Sequence, residues 1–576
     1  MPVPSAWISR AQVGSWAAPA SVLLVAAVSP FERSLNTLAV AGLSVTTLEL
    51  TVMLALLVSG GAWLVERRDQ VEGVRRMPSL PLPIVVVLAV MLVASVGAPE
   101  FRADALRVWA RLVAATGVFL LTVNGVTTRR AAVAVIATLL AAGAVVGVLA
   151  VLEVLQVPTV MELLRLFRPG FHVVGGQVRA SSSLFYPTIA SMYLEVVFAL
   201  GLSLIVSAKG VKQLLWPMAG LILVGAGVIA TFTRAGLITM ALSMVLVGGL
   251  AYLRRGGLGR VHARLAVLAG VLTMLVMASR TPQMLVTRMS TEGSQEWYGA
   301  TYSVPAALTL CPGSFNDLPV TVSNRGWITW RSDQDPPFAL SYHWLKSDTE
   351  EVVIYDGLRT PFAEPVAPGG DSRMMARVRA PGYPGSYVLV WDVVHEHRTW
   401  LSIEGVFPGR TLVNVAGTAV TAPLVAKGRL PSSVMRLPRL LLWTTALAMT
   451  RDHPWLGVGP DNFRHTYGRY LGLASWDTRV HANNAYLEAL AGAGIAGLAA
   501  VLWLMVAIVR EGWQRWRVTT PESLALFAAV AAACTAIAVH GLVDSFVTFT
   551  PTYVVFAIAV GLLCSPATGG GHADRV

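Results

Sequence analysis

The chain has 576 residues, of which 55% are apolar and 13% charged, with a mean hydropathy of +0.62. An ordinary soluble protein carries about 25% charged residues, so a soluble multidomain protein is excluded. The formal net charge of +12 does not point to nucleic acid, because the basic residues stand in short knots between long apolar stretches.

Taken in chain order, those stretches fall at approximately 14–30, 38–65, 80–97, 108–125, 131–153, 187–208, 213–232, 235–253, 264–280, 491–510, 521–541 and 551–565. Most approach the roughly 20 residues a helix needs to cross hydrocarbon. Basic knots follow every second stretch, at Arg67/Arg68/Arg75/Arg76, Arg129/Arg130, Lys209/Lys212, Arg254/Arg255/Arg260/Arg264 and Arg510/Arg515/Arg517. Cytoplasmic loops carry such an excess of Lys and Arg. The fold class expected is therefore an α-helical polytopic membrane protein of about twelve transmembrane helices, with both termini inside. The first apolar run lacks a small-residue cleavage site and is read as a span, not a signal peptide.

Four parts follow: an N-terminal membrane domain over 1–285, an extracytoplasmic β-sandwich over 295–420, an outer-face helical loop over 430–490, and C-terminal membrane helices over 491–576. The sandwich reading rests on alternating runs such as Pro319-Val-Thr-Val-Ser, punctuated by Asn324-Arg-Gly, Pro368-Gly-Gly and Pro384-Gly. Many short strands with regular turns signal an antiparallel sandwich. Pro384-Gly-Ser-Tyr387-Val-Leu-Val-Trp391 resembles a late strand of an immunoglobulin-like domain, with Tyr387 as its corner tyrosine. From Leu430 to Thr450 the pattern is helical, short and flanked by Arg436, Arg439 and Arg451, as in a helix lying along the outer surface. The three cysteines, Cys311, Cys534 and Cys564, offer no disulfide framework. Without CxxC pairs or His/Cys clusters, no structural zinc site is expected.

The chemistry concentrates at the outer boundary. Arg234 sits between two apolar stretches in Thr231-Phe-Thr-Arg-Ala-Gly236. Ionisable residues there are functional candidates, and an interfacial anchor is the plainer alternative. Arg107 and Arg111 lie one turn apart on one helix face, Arg179 in the next outer loop, and Arg439 at the head of the surface helix. Converging arginines would suit phosphate oxygens, which guanidinium matches in geometry. His481 stands at the water boundary before an apolar helix, where an imidazole can act as a general base; a structural histidine is the competing reading.

Trp455-Leu-Gly-Val-Gly-Pro-Asp-Asn-Phe463, His481-Ala-Asn-Asn-Ala-Tyr-Leu-Glu and Gly494-x-x-Gly497 together resemble the signature of the O-antigen ligase and polymerase superfamily. Thr231-Phe-Thr-Arg234-Ala-Gly resembles that family's Ser-Arg-Gly turn. Arg179-Ala-Ser-Ser-Ser-Leu-Phe-Tyr-Pro187, Arg439-x-x-x-Trp443 and His540-Gly-Leu-Val-Asp544 add support. The resemblance covers roughly 100–280 and 430–565. It implies a metal-independent glycosyltransferase without cofactor, in the bacterial cytoplasmic membrane, that moves a glycan from an undecaprenyl-pyrophosphate carrier to a glycan, lipid or protein acceptor. Membrane lipid is the remaining partner, and nucleic acid is none. Arg234 and Arg439 would hold the pyrophosphate, with Arg179, Arg107 and Arg111 in support. The sequence departs from the commoner His-Asn pattern: Asn483 occupies the histidine position, and asparagine is no base at neutral pH. His481, two residues earlier, is left as the catalytic base, with Asn483 beside it.

Two rivals compete. A metal-dependent transferase needs paired carboxylates in an outer loop, and Phe31-Glu-Arg-Ser-Leu-Asn36 offers only Glu32. A lipid-linked glycan exporter would show internal repeats and polar residues at mid-membrane, which the sequence does not display.

Overall fold

The computed structural model describes residues 10–40, 43–69, 80–168, 172–174, 177–255, 259–278, 298–334, 337–354, 356–396, 399–402, 406–418, 428–429, 439–471, 478, 480–545 and 549–568. The basic pair Arg75/Arg76 and the start of the expected surface helix, 430–438, lie outside the described residues.

The N-terminal part is built from α1 (Arg10–Val28), α2 (Thr47–Asp69), α3 (Pro81–Val96), α4 (Arg102–Gly125), α5 (Arg129–Val154), the short α6 (Pro158–Leu164), α7 (Pro187–Ser207), α8 (Val211–Ala230), α9 (Arg234–Arg255) and α10 (Arg260–Ala278). Prolines open α3 and α7, where a missing N–H costs nothing and the fixed φ suits a helix start. Thr128 caps α5 by accepting the Ala131 N–H. Nearly all of α7 is buried, and α5, α8 and α9 pack around it. After the β-rich region come α11 (Arg439–Asp452), α12 (Phe463–Tyr470), α13 (Ala485–Val518), α14 (Leu524–His540) and α15 (Thr550–Cys564). Helices α14 and α15 also pack on α7, and α14 on α9.

Among the described residues seven helices, α4, α5, α7, α8, α9, α10 and α13, are long and apolar enough to cross a membrane. The apolar parts of α1, α2, α3, α14 and α15 are shorter. The chain is a multi-pass membrane protein. One expected boundary is corrected. The apolar pattern predicts the second span from 38, but β1 (Ser34–Val40) and β2 (Leu43–Thr46) form an antiparallel hairpin and the helix starts at Thr47. Alternating Leu, Ala and Val in that hairpin add apolar character that reads as span in the sequence.

A second small hairpin, β3 (His172–Val174) with β4 (Gln177–Arg179), precedes α7. The separate β-rich region holds β5 (Ala300–Ser303), β6 (Ala307–Leu310), β7 (Phe315–Asn324), β8 (Phe338–Lys346), β9 (Glu351–Ile354), β10 (Thr360–Pro361), β11 (Asp371–Arg379), β12 (Gly385–His395), β13 (Thr399–Trp400), β14 (Gly409–Val415) and β15 (Gly428–Arg429). One sheet runs β15-β9-β8-β12-β14-β6, with β10 and β13 on its flanks; the other runs β11-β7-β5. Val320 and Val322 of β7 and Val378 of β11 share one core with Trp344 of β8 and Trp391 of β12. The Trp344 indole donates across to the Arg379 carbonyl at 3.0 Å, tying the sheets together. The Tyr387 hydroxyl donates to the Tyr383 carbonyl at 3.0 Å.

Helix α13 is broken at Gly494, whose backbone sits at φ 66° and ψ −166°. The break frees the carbonyls of Ala491 and Gly492 and the amides of Ile495 and Ala496. The glycine-rich turn before α12 takes all four. Val458 and Gly459 N–H groups donate to Ala491 and Gly492 at 2.9 Å each, while Ile495 and Ala496 donate to Pro454 and Trp455 at 2.8 and 3.4 Å. Within a bilayer such backbone groups must be satisfied internally. A side chain at Gly494 would meet the Trp455 carbonyl carbon at 2.3 Å, and one at Gly457 (φ 65°) the Ala491 oxygen at 2.3 Å. Both positions therefore demand glycine twice over, for conformation and for close approach.

Candidate active site

The broken helix fixes the site. Turn residues 454–460 are clamped to α13, so Asp461 emerges beside the first turn of that helix, at a positive φ of 65°. Such backbone in a non-glycine residue is costly and is held only where the surroundings over-determine it. Asn484 caps α13, its side chain accepting the Tyr486 and Leu487 N–H groups at 3.0 Å each, and its amide donates to the Leu542 carbonyl at 2.9 Å. The loop 480–484 is thereby pinned, and His481 points inward.

His481 Nδ1 lies 3.4 Å from Asp461 Oδ1 and 3.8 Å from Glu488 Oε1. The outer oxygens are already engaged: Arg464 Nε donates to Asp461 Oδ2 at 2.8 Å, and the Ala482 N–H to Glu488 Oε2 at 2.9 Å. Burial holds the Asp461 carboxyl above its usual range, against the pull of His481 and Arg464. Burial alone would depress His481, but the Glu488 and Asp461 carboxylates outweigh it, and its pKa lies above the ordinary value. An imidazole whose Nδ1 faces carboxylates is held in one tautomer and orientation, and is a stronger base at Nε2.

The arginines divide among three clusters. Arg107 bonds Asp104 at 3.0 Å. Asp104 also lies 3.9 Å from Arg464 and 3.3 Å from His465, so Arg107 reaches the His481 cluster through a chain of alternating charges. Arg111, although on the same helix, turns to Glu49 of α2 at 3.4 Å. Glu32 is near enough to feel both charges, and burial raises its carboxyl. Arg179 donates to the Thr231 carbonyl at 3.0 Å and to the Thr233 hydroxyl at 3.3 Å, which braces the turn carrying half-buried Arg234. Arg439, at the head of α11, acts electrostatically on His540. His540 Nδ1 lies 2.9 Å from both Glu195 oxygens, and the Thr239 hydroxyl donates to Glu195 at 2.6 Å. All three of these are buried, and Thr239 stands just over one turn below Arg234 on α9.

Aromatic rings connect the halves. His481 lies 6.3 Å from Phe549, Phe549 6.0 Å from Tyr186, and Tyr186 5.1 Å from His172, whose strand partner is Arg179. A cavity of about 700 Å³ begins at Asp461, Tyr486 and Glu488 and continues between α13, α9 and α14, lined by apolar residues such as Leu504, Met505 and Phe527. Asn483 takes a positive φ of 50° beside His481.

The residues missed in the sequence are Asp461, Glu488, Arg464, Asp104, Glu49 and Glu195. Asp461 and Glu488 stood inside the quoted motifs, but their spacing of 20 and 7 residues from His481 crosses two elements and fits no ligand or triad pattern. Asp461, His481 and Glu488 are the group among the described residues that could hold a metal.

Fold and site define a multi-pass membrane protein with a buried acid–histidine centre at the start of α13, against which Arg464 lies, and with other arginines in separate clusters. Residues 412–502 match the family model for O-antigen ligase. That stretch includes the glycine-rich turn, Asp461, His481, Glu488 and the break in α13; Arg234, Arg179, Arg107 and Arg111 lie outside it. No curated protein matches the chain.

Proposed function

We propose that the protein transfers a glycan from an undecaprenyl-pyrophosphate carrier to an acceptor at the outer face of the bacterial cytoplasmic membrane. The observation that carries this reading is the His481 ring, aimed by two carboxylates, in a domain that matches the O-antigen ligase family. In the proposed reaction His481 Nε2 takes the proton of an acceptor hydroxyl. The freed oxygen attacks the sugar carbon bound to pyrophosphate, a new C–O bond forms, and the old C–O bond breaks. The lipid pyrophosphate departs with the electron pair. Its growing charge is what Arg234 and Arg439 would stabilise, with Arg179 bracing the Arg234 turn and Arg107 and Arg111 setting the local field. Asn483 would position the acceptor.

In this reading the five shorter apolar helices also cross the bilayer, giving twelve spans, and the β-rich region lies outside as an immunoglobulin-like sandwich. Its two-sheet core and the Tyr387–Tyr383 bond, the geometry of a tyrosine corner, support that assignment. The apolar cavity below Glu488 suits a hydrocarbon chain. An exporter is favoured by nothing here: transporters leave backbone at a helix break free to bind cargo, whereas the four groups at Gly494 are capped by the chain itself.

The test is reconstitution of the full chain in vesicles with an undecaprenyl-pyrophosphate glycan and candidate acceptors. Product is expected with at least one acceptor, and not with His481→Ala. Equal transfer by wild type and His481→Ala would overturn the assignment of the base. Transport of intact donor without bond formation would overturn the enzyme reading.

A further inference from the structure

We propose that Asp461, His481 and Glu488 form a binding site for one divalent cation of the zinc class. Three observations carry it. First, Asp461 Oδ1, His481 Nδ1 and Glu488 Oε1 converge from a turn, a loop and a helix, all within 4.8 Å of one another. Second, each of these three atoms is buried and has no hydrogen-bond partner among the described residues, while the side chains of Asp461 and Glu488 are only 7% and 9% exposed. An acceptor left unpaired in a buried site is costly, and here two acceptors face one another. Third, the other oxygen of each carboxylate is fixed from behind, by Arg464 and by the Ala482 N–H. Outer partners of this kind orient metal ligands.

The spacing selects the ion. Zinc binds nitrogen and carboxylate oxygen at about 2.0–2.2 Å in tetrahedral geometry, so neighbouring ligand atoms stand roughly 3.3–3.6 Å apart. The two separations from His481 Nδ1 are 3.4 and 3.8 Å, and the two carboxylate oxygens, within 4.8 Å of each other, would draw in on loading. Imidazole favours zinc, copper and nickel, whereas magnesium and calcium prefer all-oxygen shells. The fourth position would open to the cavity that Asp461 and Glu488 line. A cation on Nδ1 leaves the remaining ring proton on Nε2, where it blocks proton acceptance. Loading would therefore inhibit glycan transfer. That consequence rests on the function proposed above; the binding does not.

The experiment uses the full-length chain in detergent, carrying an affinity tag without histidine and stripped with a chelator. Zinc is titrated by calorimetry, bound metal is counted after desalting, and X-ray absorption reads its first shell. The expected result is one tightly held zinc with nitrogen and oxygen neighbours and no sulfur. Asp461→Asn and Glu488→Gln should each weaken binding by at least about tenfold, a loss that outer-shell changes alone can reach. Thermal melting and gel filtration check that each variant is folded, and His481→Ala replaces any that is not. Absence of stoichiometric zinc in the wild-type chain, or unchanged affinity in the folded variants, overturns the proposal. Zinc binding by a chain that transfers no glycan even after the metal is stripped would sink the functional reading alone; transfer by a stripped chain that then binds no zinc would sink this one alone.

Discussion

Two regions of the chain each bury a histidine against an aspartate, and they treat the pair differently. In the β-rich region His343 of β8 lies 3.7 Å from Asp392 of β12, both side chains sealed from solvent. Asp392 is saturated: the Tyr302 hydroxyl donates to it at 3.3 Å and the Ser402 N–H reaches both of its oxygens at 3.2 Å. The Tyr302 hydroxyl is correspondingly hard to ionise, through burial first and the Asp392 charge second. In the membrane region Asp461 and Glu488 each keep one buried oxygen without a partner; the contrast between the two regions lies in their carboxylates. A buried polar group with all its bonds made serves the fold. One with bonds left over is a place where something else belongs.

The sharpest way to break that contrast is to delete each histidine. His481→Ala should lower the transfer rate by about 100- to 10,000-fold, the usual range for a general base, with donor still bound. His343→Ala should leave transfer per folded molecule at the wild-type rate, and a loss comparable to that of His481→Ala would erase the distinction. Next in size, Arg234→Ala should cost about 10- to 100-fold in transfer at limiting donor, as expected for losing a charge-assisted bond. Arg234→Lys should also be impaired, because a point charge cannot replace the two-pronged guanidinium; kinetics against donor concentration measures both.

Within the β-rich region Trp391→Ala should destabilise by about 3–5 kcal/mol through the cavity it leaves. Denaturant unfolding would show this as an earlier transition for that region, with the membrane site still active. Tyr387→Phe should cost about 1 kcal/mol, one neutral hydrogen bond; no change in the same transition would remove the corner role of Tyr387. The finest probe is Asn483→His in a His481→Ala background. Partial recovery of transfer would place both positions in one catalytic space, and none would separate them.

The sequence disclosed much of this, unevenly. Helices such as α5 and α7 are read directly because a bilayer demands length and apolarity from each segment alone. Strands β7, β11 and β12 are read from alternation and from Asn324-Arg-Gly and Pro384-Gly. The β1–β2 hairpin was absorbed into a span because its apolar residues adjoin those of α2. At the site, His481 and the arginines stood out because charge at a membrane boundary is conspicuous in one dimension. Their partners did not. Arg107 and Arg111 share a helix face; Arg107 pairs with Asp104 one turn earlier on the same helix, but only the approach of α2 turns Arg111 to Glu49, and only that of α12 brings Arg464 and His465 to Asp104. Glu195 reads as a lone acid in an apolar helix until α14 brings His540 against it. Gly494 suggests close packing, but only the three-dimensional register shows it as a break whose bonds are made by residues 454–459.

That break has a kinetic consequence. Four amide groups, those of Val458, Gly459, Ile495 and Ala496, hold the turn to α13 in a ladder that belongs to neither element alone. Local opening of a surface loop usually exposes a few bonds to water at little cost. Peeling this turn away would leave backbone groups of both elements unpaired at once. Hydrogen exchange at these four amides should therefore be as slow as in the interior of α7, and all four should exchange together. The Trp455–Phe463 segment would then behave over time as part of the rigid scaffold, although by connectivity it is a loop.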